Sequence, residues 1–254
     1  MPYSVSSATA KSPCHATNEG CFLVAPRYAI VADGMGGESC GDVASRIAVD
    51  TMARILDDSL PAAGALTPDT ARGAMFAAIA AADRAVMQYA DAHPDATGMG
   101  TTALILVHDA CGVFVAWCGD SHCYVFHDHA LLSLTKDHSY VQQLIDSHEI
   151  TIEESFSHPD NNLITRYVGG GADTCLPEFA AYTPAPNDIF VLCSDGLSGY
   201  CRTADVARTI ADSADADRLA DRLLTLATSR GSDDDITIVA MRPRRQSWLS
   251  RLFH

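Results

Sequence analysis

Four aspartates stand where an apolar, strand-like run of residues gives way to a turn. They are Asp33 in Asp-Gly, Asp120 in Gly-Asp-Ser, Asp195 in Asp-Gly, and Asp234 two residues before Ile236. A strand end holds a side chain rigidly, and a following glycine lets backbone or ligand atoms approach closely. Turn formation alone is the commonest role of a single Asp-Gly pair. The recurrence of four such aspartates in strand context favours a shared site instead.

A pocket that gathers these carboxylates selects hard cations. Like charges in one pocket raise each other's pKa unless cations neutralise them. All-oxygen ligands favour Mg²⁺ or Mn²⁺ over zinc. Two such ions about 4 Å apart lower the pKa of a bridging water and make it a nucleophile for phosphoryl transfer. The four aspartates therefore predict a metal-dependent site for that chemistry.

The elements that must position these residues are short strands and helices. Strand-like runs lie at 21–24, 28–32, 101–108, 112–118, 122–127, 188–194 and 236–241, and helical patterns begin near 42, 68, 141, 203 and 217. Strands and helices do not alternate strictly, which disfavours a doubly wound parallel sheet. The order favours antiparallel sheets covered by helices, an α+β layered fold. No internal repeat or linker-like composition interrupts residues 1–241, so a single domain is predicted there.

Composition and charge narrow the class of protein. The chain has 254 residues, 48% of them hydrophobic, and 32 acidic against 17 basic residues give a net charge of −15. That charge repels nucleic acid and anionic lipid, so neither is expected as the main partner. No stretch approaches the roughly 20 apolar residues of a membrane helix, and no secretory signal is visible. We therefore expect a cytoplasmic protein without a transmembrane segment, in which the nine cysteines are reduced thiols.

Eight short motifs run through the chain between about residues 12 and 241. They are Asn18-Glu19, Val31–Gly37, Gly100–Ala103, Gly119–Ser121, Leu134–Ser139, Leu163–Arg166 with Gly169, Ser194–Leu197 and Ser232–Thr237. In this order the motifs resemble those of the metal-dependent protein phosphatase family, the type 2C serine/threonine phosphatases, in its bacterial form. Any one motif is a weak signal, whereas eight in register are highly specific.

The resemblance implies both a fold and a set of ligands. The fold is a β-sandwich of two antiparallel sheets flanked by helix pairs, in α-β-β-α layers, with a cleft for metals at one end. A flap at about 139–163 shapes access of the substrate. The implied ligands are Asp33 bridging two metals, the Gly34 carbonyl, Asp195 and Asp234 on the first metal, Glu19 on the second through water, and Asp120 on a third, looser metal.

Several positions depart from the family's pattern. The usual phosphate-gripping arginine is His15, which either contacts substrate phosphate or is only a surface loop residue. Gly20 replaces an outer carboxylate, His122 an arginine and Asp235 an asparagine. The donor of a proton to the leaving serine oxygen is unassigned, with a metal-bound water as the default and His138 as an outside candidate.

The resemblance leads to a predicted function and one rival. The predicted enzyme hydrolyses phosphoserine or phosphothreonine on proteins through a water bridging two Mn²⁺ or Mg²⁺ ions, with a possible third ion. Asp33, Asp195 and Asp234 are its catalytic residues, and no phosphoenzyme forms. Its partners are phosphorylated proteins, in signalling that opposes a serine/threonine kinase. The rival is a phosphatase-like module that binds phosphoproteins or second messengers without turnover, which His15 and Gly20 support.

The C-terminal segment 242–254 differs from the rest of this acidic chain. Four arginines surround apolar residues there, which makes the segment basic and amphipathic. It is either a disordered end or a helix lying back on the domain, or else it docks on a partner or a membrane surface.

Overall fold

Two antiparallel sheets lie face to face between two groups of helices. The computed structural model describes residues 3–36, 40–61, 65–213 and 215–244. Gly37 and the tail from residue 245 onward therefore lie outside the described residues. The strands are β1 (Tyr3–Ala10), β2 (Gly20–Val24), β3 (Tyr28–Met35), β4 (Gly100–Thr101), β5 (Ala103–His108), β6 (Val113–Cys118), β7 (His122–His127), β8 (Ala130–Ser133), β9 (Glu178–Tyr182), β10 (Ile189–Cys193) and β11 (Ile236–Pro243).

Strand order explains why distant parts of the chain meet at one end. One sheet has the order β1-β11-β10-β7-β8, and the other has the order β2-β3-β5-β6-β9 with β4 paired to β3. Neighbouring strands in both sheets run antiparallel. β3, β10 and the loop before β11 bring Asp33, Asp195 and Asp234 to the same end of the sandwich.

The helices cover the two outer faces. They are α1 (Gly41–Ser59), α2 (Pro68–Ala92), α3 (Tyr140–Asp146), α4 (Ile152–Ser155), α5 (Asp195–Ser198), α6 (Thr203–Ala211) and α7 (Leu219–Ser229). The start of α2 follows from its sequence, because the Thr67 hydroxyl caps the Thr70 N–H and Pro68 occupies the first turn. No helix among the described residues is both long and apolar enough to cross a bilayer.

The core has three layers, one between the two sheets and one between each sheet and its helices. Alternate side chains of a strand contribute to different layers. Ile30 packs against α1 and α2, while the next residue, Val31, packs between the sheets. Val191 packs against α6 and α7, while Leu192 points between the sheets. Successive side chains of a strand point to opposite faces, so strands buried on both sides must be apolar throughout. The predicted α-β-β-α sandwich is confirmed.

Three strands and the detail of the flap escape the sequence patterns. β1, β8 and β9 lie at sheet edges and are only partly buried, so their apolar alternation is weak. The predicted flap contains α3 and α4, and an isolated bridge between Ser139 and Ile164 closes its base. Ile152 and Phe156 of the flap are exposed.

Candidate metal centre

One cavity of about 1070 Å³ opens at the end of the sandwich where the predicted aspartates meet. The structure brings every predicted site residue to this cavity. Its lining includes His15, Glu19, Asp33, Gly34, Asp120, Asp195 and Asp234. These residues come from five separate parts of the chain, so their meeting is a property of the fold and not of local sequence.

Asp33 is held at its backbone by two threonines of the Gly-Thr-Thr motif. Its N–H donates to the Thr102 hydroxyl at 2.9 Å, and its carbonyl accepts from the Thr101 hydroxyl at 2.9 Å and the Thr102 N–H at 2.8 Å. The Thr102 hydroxyl in turn meets the Ser121 hydroxyl at 2.7 Å. Two of the recognised motifs therefore serve to fix the carboxylate that a third motif supplies.

Glu19, Gly34 and Gly41 pack closely enough to require glycine at two positions. The Gly34 N–H donates to the Glu19 carbonyl at 3.1 Å. A Cβ at Gly34 would lie 2.0 Å from the Gly41 carbonyl oxygen, and a Cβ at Gly41 would lie 2.5 Å from the Glu19 carboxylate. The first turn of α1 thus sits directly against the predicted second-metal residue, with no room for a side chain between them.

The segments that carry Asp195 and Asp234 are fastened to each other. The Ser194 hydroxyl donates to the Asp235 carbonyl at 3.0 Å, and the Ser194 backbone N–H donates to the Thr237 carbonyl at 3.0 Å. A Cβ at Gly196 would meet the Asp235 carbonyl oxygen at 2.3 Å. The Asp-Gly sequence is needed here for close approach of two backbones.

The carboxylates repel one another strongly enough to favour protonation. Burial, followed by the charges of Asp195 and Asp234, raises the pKa of Asp33 well above its ordinary range. Burial and the charge of Asp195 also raise the pKa of Asp120, and raise the pKa of Asp234 to about 6. Burial raises the pKa of Glu19. A site with this much unbalanced negative charge is suited to a multivalent cation.

The residues present fit such a cation. The Asp195 Oδ1 is buried and has no hydrogen-bond partner among the described residues. The other carboxyls that face it are oxygen ligands of the kind that Mg²⁺ and Mn²⁺ prefer. No three histidine, cysteine or acidic side chains of the described chain already stand in a cation's ligand arrangement. Besides burial, the charge of Asp195 helps to raise the pKa of Asp33, and a bound cation would offset that repulsion.

Asp120 lies near a pair of side chains in contact with each other, His122 and Asp137. Asp120 is buried, and it borders a second cavity that also contains His122 and Asp137. His122 Nε2 lies 3.0 Å from Asp137 Oδ1. His122 replaces the arginine of the family's pattern, and its imidazole is committed to Asp137 through this contact.

The structure shows different surroundings for Gly20 and His15, two positions that depart from the family's pattern. A Cβ at Gly20 would lie 2.2 Å from the Thr237 hydroxyl oxygen, so a side chain at this position would require Thr237 to shift. His15 does line the cavity, and its Nδ1 lies 3.0 Å from Asp235 Oδ2. The sequence suggests no such link, because these residues are 220 positions apart. The sequence carries one indirect indication, which is that His15 and Asp235 both depart from the family's pattern.

His138 and Arg166 belong to the framework instead. His138 Nδ1 accepts the Gly119 N–H at 3.2 Å, and its Nε2 lies 3.3 Å from the Arg166 guanidinium. Arg166 also pairs with Glu178 at 2.9 Å. Neither His138 nor Arg166 lines the cavity. His138 therefore supports the Gly-Asp-Ser turn and is not placed to protonate a leaving group.

Comparison with known proteins agrees with this geometry. Residues 9–237 match the family model described as Protein phosphatase 2C. The serine/threonine phosphatase Stp of Listeria monocytogenes is 33% identical over 211 residues, which are 83% of this chain and 82% of that protein.

Solved structures are similar over nearly the whole chain. PppA, described as a regulatory component of the type VI secretion system in Pseudomonas aeruginosa, has a TM-score of 0.81 and 31% identity, covering 95% of this chain and 98% of that one. The catalytic domain of the serine/threonine protein phosphatase PstP, in complex with two manganese ions, has a TM-score of 0.82 and 29% identity, covering 95% and 98% of the two chains.

Proposed function

This chain belongs to the protein phosphatase 2C family, and from that premise we propose that it hydrolyses phosphoserine and phosphothreonine in proteins at the cavity that holds Asp33, Asp195 and Asp234. It is a phosphoprotein phosphatase that depends on Mn²⁺ or Mg²⁺. The observation that carries the choice of cavity is the convergence of carboxylates from separate strands and loops, with raised pKa values for Asp33 and Asp234.

The chain's own residues divide the work between holding cations and holding substrate. When bound, two divalent ions supply an activated water and neutralise the charge of the phosphoryl group. The residues that would hold them are Asp33, Asp195, Asp234 and the Gly34 carbonyl, with Glu19 acting through water and Asp120 serving a third ion. His15 would meet the phosphoryl oxygens, since it is the histidine that lines this cavity alongside the acids.

The rival function, a binding module without turnover, is not favoured. The similar proteins are named phosphatases, and every carboxylate expected to hold a cation is at the cavity.

The test is hydrolysis of a phosphoserine peptide by the purified chain with Mn²⁺, with and without a chelator. We expect turnover that the chelator abolishes and that Asp33→Asn removes. Asp50→Asn, on an exposed position of α1, is the control and keeps the activity. A peptide that stays phosphorylated at saturating Mn²⁺, while binding tightly to the folded chain, would overturn the proposal in favour of the binding module.

The proposal extends to partners and setting. The substrates would be proteins phosphorylated by a serine/threonine kinase, which this chain opposes in signalling. A reducing, cytoplasmic setting suits the nine free cysteines. Docking of the basic tail on a partner or a membrane surface also remains a proposal. Removal of residues 245–254, followed by sedimentation with anionic vesicles, tests the membrane form of that proposal.

A further inference from the structure

One buried carboxylate fastens the segment that enters the cavity from the N-terminal side. Asp235 is 1% exposed. Its Oδ1 accepts the Ser12 N–H at 2.6 Å, and its Oδ2 accepts the Glu19 N–H at 2.7 Å. The same Oδ2 lies 3.0 Å from His15 Nδ1. Asp235 therefore holds three points of the segment 12–19, while its neighbour Asp234 lines the cavity.

The contact with Asp235 sets the orientation of the His15 ring. An ionised carboxylate can only accept, so Nδ1 must carry a hydrogen. The other ring nitrogen, Nε2, has no hydrogen-bond partner within the described parts of the chain, and the side chain is 38% exposed where it borders the cavity. Nε2 is thus the ring atom left for a ligand.

The groups around His15 favour its cationic form. The hydrogen bond to Asp235 raises the pKa of His15, burial opposes that effect, and the charges of Asp235, Asp234 and Glu19 add to it. The Lys11 ammonium donates to the backbone carbonyls of Ser12 and His15, and not to the His15 ring. When the ring is protonated, both nitrogens donate, and the outward Nε2–H can meet an anion.

We propose that Asp235 is a positioning residue for His15, and that the pair presents the Nε2–H of His15 to a phosphoryl oxygen of the substrate. The proposal rests on the proposed function, since the substrate is taken to be a phosphomonoester. A lone histidine on an exposed loop would lose its proton near neutral pH and rotate freely. The buried carboxylate both favours the cationic form of the His15 ring and fixes the ring's orientation. An arginine at this position would be cationic without a carboxylate, and would need help only with its orientation.

The chain contains a matched control pair. His127 Nδ1 lies 2.7 Å from Asp188 Oδ1, and the two side chains are 44% and 3% exposed. This pair has the same atoms, a similar burial and no place in the lining of the cavity. Changes at His127 therefore report the effect of breaking a histidine-aspartate pair as such.

The first test reads the ring directly and needs no turnover. Histidines labelled with ¹⁵N are followed in the Mg²⁺-loaded chain, and the His15 signals are assigned by their loss in His15→Gln. We expect the Nδ1-protonated form at high pH, and a shift of the Nε2 signal when inorganic phosphate is added. Asp235→Asn should raise the apparent dissociation constant for phosphate about tenfold, the effect of weakening one charge-assisted hydrogen bond. His15 signals that ignore both phosphate and Asp235→Asn overturn the proposal.

The second test separates binding from turnover on a phosphoserine peptide. His15→Gln and Asp235→Asn should each raise KM about tenfold with little change in kcat, and their combination should raise it no further. His15→Arg combined with Asp235→Asn should restore KM, because arginine stays charged without a carboxylate. His127→Gln should leave both constants unchanged.

Failure of this inference is distinguishable from failure of the proposed function. An active chain whose KM ignores Asp235→Asn, or whose two substitutions add independently, contradicts the pairing alone. A chain that binds phosphate through His15 but never turns over a peptide contradicts the phosphatase function and leaves the pair standing. Thermal melts accompany Asp235→Asn, since that change also removes an acceptor for Ser12 or Glu19. His15→Gln leaves both of those hydrogen bonds in place.

Discussion

The two ends of the sandwich each carry a histidine hydrogen-bonded to a buried aspartate. His15 meets Asp235 at the cavity end, and His127 meets Asp188 where β10 begins at the other end. The interacting atoms, distances and burial are nearly the same in both pairs. What differs is the set of groups around each aspartate, and that difference decides what each pair can do.

At the end of the sandwich away from the cavity, the hydrogen bonds of Asp188 join structural elements to one another. Besides His127, Asp188 accepts the Tyr182 hydroxyl at 2.8 Å and the Ala185 N–H at 2.7 Å. These contacts join β7, β9 and the start of β10. At the cavity end, Asp235 holds a loop beside a group of uncompensated acids. A geometry that stabilises in one place thus orients a ligand-binding ring in the other.

The largest contrast is expected between the two aspartates that flank β10. Asp195→Asn should lower kcat by about a thousandfold or more, because it removes a proposed oxygen ligand of a catalytic cation. Asp188→Asn should leave kcat and KM unchanged and reduce the free energy of unfolding by about 2 kcal/mol, since a buried charged acceptor is lost. Steady-state kinetics with Mn²⁺ and urea denaturation measure the two effects. Equal kinetic damage from both substitutions would contradict the division between the ends.

The cavity end should also respond to metal removal in a pH-dependent way. Asp33, Asp120 and Asp234 have raised pKa values, that of Asp234 being about 6. An acid with a raised folded-state pKa binds more protons folded than unfolded, so its stability contribution is present at low pH and lost as pH rises. The chelated chain should lose on the order of 2 kcal/mol between pH 5 and pH 8.

The control for this loss is Asp234→Asn, which should reduce the pH dependence of the chelated chain, since Asp33 and Asp120 remain. Mg²⁺ should also flatten it by neutralising the acids. Denaturation midpoints in urea at both pH values provide the measurement. A chelated chain that becomes more stable as pH rises from 5 to 8 would refute the mutual repulsion of these carboxylates.

The sequence was sufficient to predict the acids but not their neighbours. Asp33, Asp120, Asp195 and Asp234 each mark a strand end or a turn beside one, and strand ends of one sandwich meet at its rim. A strand end that is recognised in the sequence is therefore also a position at the rim of the folded sandwich. The edge strand β1 left no such signal, since only part of its small and polar side chains is buried.

The histidine-aspartate pair shows where a single sequence stops being informative. His15 reaches Asp235 only because β11 lies beside β1, whose last residue Ala10 pairs with Ile236. No local pattern encodes that register. Gly20 likewise appears in the sequence as a missing carboxylate, whereas the structure shows that the Thr237 hydroxyl lies close to where its Cβ would be.

The pH dependence of substrate binding should distinguish the two pairs next. His15 has a raised pKa, so its cationic form persists near neutral pH and is lost as pH rises through that value. KM for a phosphoserine peptide should therefore rise up to about tenfold towards alkaline pH. The range from pH 6.5 upward keeps the phosphomonoester mostly dianionic, because its second pKa is about 6. His15→Arg combined with Asp235→Asn should give a flat profile, and a wild-type KM that is flat as well would count against His15 as the titrating contact.

The smallest expected effect concerns the far pair alone. His127→Gln removes the ring that joins β7 to Asp188 but leaves the Tyr182 and Ala185 contacts to that carboxylate. Because the imidazole is 44% exposed, the loss should be about 1 kcal/mol in the free energy of unfolding. Urea denaturation at pH 6 and pH 8 measures it, with His129→Gln on the neighbouring turn as the control. A substantial change in KM from His127→Gln would mean that breaking either pair disturbs the whole sandwich. A KM effect at His15 or Asp235 would then not indicate a specific role of that pair in substrate binding.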